Sequence, residues 1–328
     1  MNTTTELPPC CLRVHPQNPE IAVLGTYKLE ENGSRHGSLD VYTTKNGQFE
    51  RLSSTKTASA VLDLKVSPTD ASLWVSAHST GNISVWRFED DKLEMKQNME
   101  LFEEDVLVTS VFFDPKDANR LLATLTSGEA AIVDLQNGTF DLLETPHSLE
   151  CWTGAFGEEG AAANVVFTGG DDAKLIAHDL RQNGKIWAST RHHDAGVVSI
   201  LCPGKEWRNP RSDCLWTGSY DDHLRVFDLR KIDTDEGPSL FPSLLPQELH
   251  KTNLGGGVWR LIPGPDLSVL ACCMYKGAYV LKTGENEPQV GKFFKGKHES
   301  MVYGGDWSGK DALTCSFYDN VVEKWASE

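Results

Sequence analysis

Three histidine–aspartate pairs stand at one register along the chain: His147 with Asp172, His193 with Asp221, and His298 with Asp319. Imidazole–carboxylate pairs are common general-base apparatus, because the carboxylate orients the ring and stabilises its cation. Each histidine lies four residues before an apolar strand residue (Cys151, Val197, Val302), and each aspartate six residues before a ring (His178, Phe227, Trp325). Three dyads in the same sequence context are better explained by a repeated scaffold than by three active sites. Other chemistry has little support. No G-x-S-x-G nucleophile elbow occurs, and no close His/Cys/Asp cluster has metal-ligand spacing. No metal or cofactor is therefore expected.

The elements that must position these pairs come from a repeat. GGDDAKLIAHDLR, GSYDDHLRVFDLR and SFYDNVVEKWASE each run from an acidic turn through an alternating strand to a ring, and AHSTGNISVWRFE is a weaker copy. With the ring position as a ruler, the marks fall at Tyr42, Trp86, Val133, His178, Phe227, Leu281 and Trp325, in steps of 44, 47, 45, 49, 54 and 44. A period near 47 suits one four-stranded blade. Seven marks predict an all-β, seven-bladed β-propeller in a single domain, with blades over 1–55, 56–100, 101–143, 144–190, 191–250, 251–295 and 296–328; the recurring His and Asp residues resemble those of the WD40 type. Short alternating runs such as AVLDLKV and VTSVFF, punctuated by Gly, Pro, Asp and Asn, read as strands. The long fifth step reflects an insert from Ile232 to Leu254, expected to supply an outer strand plus a loop. Gly204 to Asp213 reads as a loop between strands. The strand that closes the ring must come from Met1 to Leu7, which is short and polar.

Composition narrows the partners. A formal charge of −16 argues against nucleic acid, whose binding rests on Lys and Arg, and is compatible with a basic protein client. Two short basic patches, Lys205 to Arg211 and Lys292 to Lys297, read as solvated loop or edge-strand charge. Eight cysteines lack C-x-x-C spacing, and the adjacent pairs Cys10–Cys11 and Cys272–Cys273 point to opposite strand faces. Buried reduced thiols in a cytoplasmic protein are expected. The N-terminus has no basic start followed by an apolar run, and no segment has the length of apolar sequence a membrane helix needs.

The recurring His and Asp resemble the structural network of WD-repeat blades, in which a turn Asp, a His, a hydroxyl and a Trp are linked by hydrogen bonds. On that resemblance the tetrad positions are His147, Asp172, His193, Thr217, Asp221, His298, Asp319 and Trp325. His178 and Phe227 stand where two blades would carry Trp, and Cys315 where the seventh would carry a hydroxyl. Blades two, three and six lack the Asp and are expected to be held by packing alone.

GGDDAKLIAHDLR, RHHDAGVVSI, TGSYDDHLRVFDLR, GGGVWRL, SMVYGGDW and TCSFYD, in this order, resemble the WD-repeat diphthine methyl ester hydrolase (methylesterase) family of diphthamide biosynthesis. The likeness spans roughly Leu149 to Trp325, and the early GTY and AVLDLKV fit it as well. It implies a cytoplasmic, monomeric hydrolase that removes the methyl ester from methylated diphthine on translation elongation factor 2, leaving diphthine. The alternative is a non-catalytic WD-repeat adaptor for trafficking or complex assembly. Ester hydrolysis needs a base, a nucleophile or activated water, and oxyanion donors. The candidates are His193 or His298 as base, Ser219 or Ser300 as nucleophile, and Arg260 at the oxyanion. A trimethylammonium group calls for aromatic faces. Trp152, Tyr220, Trp259, Tyr303 and Tyr318 are the candidate cage, with Asp171 or Asp306 adding charge.

Overall fold

The stretches read as strands are short alternating or continuously apolar runs; the alternating ones bury one face, and the apolar ones need a neighbouring sheet on both. In the computed structural model these stretches form seven four-stranded antiparallel sheets arranged as a β-propeller. The structure describes residues 1–159, 162–182, 184–205, 207, 213–229, 246–284 and 287–328. Most of the 232–254 insert and of the 204–213 loop, and part of the Lys205–Arg211 patch, therefore lie outside the described residues. Within the insert, Gln247–Asn253 forms the outer strand of blade five.

The first strands of the blades (Pro9–His15, Val61–Val66, Val108–Asp114, Cys151–Phe156, Val197–Leu201, Arg260–Pro263 and Val302–Ser308) pack against one another in ring order around a central channel. Each ruler residue lies on the third strand of its blade. Apolar side chains collect between blades: seven buried clusters are found among the described residues, one at each seam. The cluster of Leu12, Val14, Ala22, Leu24 and Tyr42 with Leu313, Cys315 and Val322 joins blade one to blade seven. Polar Asn2–Thr4 supplies the fourth strand of blade seven, pairing Asn2 with Glu323 and Thr4 with Val321, so Val321–Ala326 is not left as the outer edge of the last sheet.

The blade networks differ from the sequence expectation in three ways. Of the three dyads, only His147–Asp172 is a direct contact, at 2.8 Å, continued through Thr168 (3.0 Å) to His178 (2.9 Å). In blade five, His193 reaches Thr217 at 2.9 Å, but Asp221 pairs instead with the fully buried Arg225 at 2.7 Å. In blade seven, His298 contacts Ser316 and Thr314, and the Trp325 indole donates to Thr314 at 3.1 Å. The hydroxyl position is thus Thr314 rather than Cys315. Blade two is not held by packing alone, because the Trp86 indole donates to Ser76, whose hydroxyl meets His78, both at 2.7 Å. All eight cysteines are free thiols.

Candidate functional site at the channel mouth

The N-terminal ends of the first strands and the turns between second and third strands meet at one mouth of the channel. Six of the seven first strands carry a register shift near their start. In blades four and seven the residue skipped is Trp152 and Tyr303, respectively. A bulge of this kind turns a side chain away from the ladder, here toward the axis. Trp259 immediately precedes the inner strand of blade six, its N–H donating to Cys272 O at 2.8 Å.

These rings form a continuous wall. Trp259 lies 6.0 Å from Trp152, 5.8 Å from Tyr220 in a stacked pose, and 5.0 Å from Tyr303, and Tyr303 meets Phe317 at 5.3 Å. Trp152 and Trp259 belong to blades separated by a whole blade, so they can touch only near the axis. All four principal rings are half-buried, which leaves faces for a ligand. The Trp152 indole donates to Asp171 Oδ1 at 3.1 Å, holding a carboxylate beside the wall. Gly196 makes room for it: a Cβ there would fall 2.7 Å from Asp171 Oδ1 and 3.0 Å from the Tyr220 ring. Burial pushes the Tyr220 and Tyr303 phenols up, so both are neutral donors. Tyr318 lies at the rim, 67% exposed.

Below the wall, Arg260 places its guanidinium 5.5 Å from the Trp259 ring and crosses the channel to Ser110 Oγ (3.5 Å) and Asp63 Oδ1 (3.4 Å). Asp63 also accepts from Val111 N at 3.1 Å and from Lys65 Nζ. Burial alone would raise Asp63, yet Lys65, Arg260 and Arg13 hold its carboxyl below the usual range. Deeper still, Asp306 accepts from Val14 N and Trp307 N, each at 2.8 Å, 3.8 Å from Arg13. Asp306 thus belongs to the inner charged layer, and burial pushes its pKa up. Sequence reasoning missed Asp63, Lys65, Arg13 and Ser110. The signal was present: VLDLKV and CCLRV carry charges inside otherwise apolar inner strands.

The other candidates are occupied by the scaffold. Burial lowers His193 to about 3 and His298 to about 4, values that make poor bases near neutral pH. Ser219 is fully buried and donates to Ala195 O at 3.0 Å, while Ser300 Oγ accepts from Tyr318 N at 2.9 Å. The wall and Arg260 therefore set aromatic faces beside a guanidinium, and none of the four base and nucleophile candidates has a free side chain among them. No cluster of three or more metal-ligating side chains occurs among the described residues. No helix among them is long and apolar enough to cross a membrane.

Comparison with known proteins places the chain in a family. No family model matches the chain. A Saccharomyces cerevisiae protein named diphthine methyltransferase is 40% identical over 98% of this chain and 96% of its own length. The Schizosaccharomyces pombe protein of the same name is 35% identical over 93% of this chain and 90% of its own. A human protein, again so named, is 28% identical over 86% of this chain and 60% of its own. Among solved structures, the WD40 propeller domain of Doa1 superposes with a TM-score of 0.72 at 12% identity, covering 99% of this chain and 95% of that one. A chain of the mitotic checkpoint complex gives 0.70 at 14%, covering 99% and 93%. These two likenesses speak to the fold alone. The relatives' names overturn the expectation of a carboxylic-ester hydrolase. A transferase moves a methyl group between molecules, whereas the expected hydrolase would release it to water.

Proposed function

The chain belongs to the diphthine methyltransferase family, and from that premise we propose that it acts in diphthamide biosynthesis as a methyltransferase on diphthine carried by translation elongation factor 2. The observation that carries this reading is the half-buried wall of Trp152, Tyr220, Trp259 and Tyr303, with Arg260 next to it. Diphthine ends in a trimethylammonium group beside a carboxyl group. A quaternary cation binds well over aromatic faces, at about 0.5–2 kcal/mol per contact. A guanidinium is the natural partner of the neighbouring carboxyl oxygens. In this reading the wall holds the cation, Asp171 fixes the Trp152 ring and adds charge, and Arg260 orients the carboxyl group. Tyr318, at the rim, meets the protein around the modified histidine.

The test is the modification state of elongation factor 2 in cells lacking this protein. The expected result is a histidine arrested before diphthamide, restored by the wild-type chain and poorly by Trp259→Ala. Complete diphthamide in the deletion cells would refute the proposal and favour a non-catalytic adaptor.

A further inference from the structure

The channel opens at its other end into a separate cavity of about 710 Å³, lined by none of the four rings of the aromatic wall. Its walls include Phe112, Phe156, Trp207 and Trp307, and Arg13 and Lys65 lie at its floor. We propose that this far mouth binds an organic monoanion with a flat apolar body, its charged group held by Lys65 and Arg13 and its body between the aromatic walls.

The argument rests on charge. Lys65 is faced by Asp63 on its own strand, Arg13 of blade one, Arg260 of blade six and Asp306 of blade seven, and its ammonium lies 5.1 Å from the centre of the Phe112 ring. The side chains of these charged groups are between 3% and 21% exposed. Three cations therefore share two carboxylates in a nearly dry layer. Among the described lining residues, Lys205 and Glu158 add one charge of each sign. His15, also in the lining, is held below its ordinary pKa by burial. With Lys65 protonated the layer carries one cation in excess, which is costly when buried, and one anion entering at Lys65 and Arg13 would restore neutrality. Burial already lowers Lys65 to about 7. An arriving anion reverses that trend, so binding above pH 7 draws a proton onto Lys65.

Titration calorimetry with naphthalene-2-sulfonate, at pH 8 in two buffers of different ionisation heat, tests this. Binding with net proton uptake is expected, along with at least tenfold weaker binding of neutral 2-naphthalenemethanol. Lys65→Met should abolish the uptake and weaken sulfonate binding at least tenfold. Arg13→Gln should weaken it similarly, and supplies the test should Lys65→Met misfold. Tyr275→Ala, in an exposed turn outside the cavity lining, should change nothing. No binding by the wild type, equal binding of the neutral probe, or unaltered binding by both floor variants overturns the proposal. The outcome does not depend on the methyl-transfer reading.

Discussion

Replacing Lys65 by methionine should stabilise the protein at neutral pH, although it removes a buried ion pair. The wild-type layer holds Arg13, Lys65 and Arg260 against Asp63 and Asp306, and the substitution leaves two cations for two carboxylates. Burial lowers Lys65 from 10.5 to about 7, despite the opposing pull of Asp63. At roughly 1.4 kcal/mol per pH unit, that amounts to about 5 kcal/mol of unfavourable ionisation in the folded state. Relaxation of the lining and entry of water reduce this, and the long aliphatic stem is replaced by a side chain of similar volume. A gain of about 1–3 kcal/mol at pH 6–7 is expected. The pH dependence has a definite sign. Between about 7 and 10.5 the unfolded chain binds a proton that the folded chain does not, so the wild type gains stability as pH rises through this window. The variant lacks that increment, and its advantage should shrink toward pH 10. Urea unfolding of both proteins at pH 6, 8 and 10 measures the difference. A variant less stable than wild type by the same amount at all three values would refute this account of the layer.

Three further outcomes follow from the same contacts. Asp172→Ala strips His147 and the Ser148 N–H of their acceptor and should cost about 2–4 kcal/mol at pH 7. Because the folded-state pKa of Asp172 is lowered, the gap from wild type should narrow as pH falls below the ordinary carboxylate value near 4, as read by thermal unfolding. Asp221→Ala leaves the fully buried Arg225, among the described residues, with the more distant carboxylates of Glu248 and Asp194, and should cost about 3–5 kcal/mol by urea unfolding. Gly196→Ala pushes Asp171 and Tyr220 from the wall, so affinity for a trimethylammonium-bearing peptide should fall several-fold with little change in stability, measured by calorimetry and thermal unfolding.

The fold was legible because a propeller repeats its instructions. A ring once per blade marks the third strand, and even the weak marks Val133 and Leu281 lie on it. The networks were less legible because constant spacing is only an approximation. In blade seven the turn between Cys315 and Val322 holds six residues, whereas the turn between Gly169 and Leu175 in blade four holds five. Counting back ten residues from Trp325 therefore lands on Cys315, while the indole in fact donates to Thr314. Asp221 was misread because Arg225, four residues on and buried, outcompetes a histidine for it. The aromatic wall was legible as residue types at the starts of inner strands and just before the turn aspartates. The charged layer was not, because it joins residues of four blades that only closure of the ring brings together. The direction of the chemistry was not legible either: the mouth has no nucleophile signature, and the hydrolase expectation gave way to the names of the relatives.

The central claim, methyl transfer on diphthine at the aromatic mouth, is tested most directly by mass analysis of the modified histidine peptide. Purified protein is incubated with elongation factor 2 bearing diphthine and an isotopically labelled sulfonium methyl donor. The account predicts a peptide heavier by one labelled methyl group, formed at least tenfold more slowly by Trp259→Ala and by Arg260→Gln. An unchanged peptide, loss of a methyl group instead of gain, or equal rates for the wild type and both variants would contradict it.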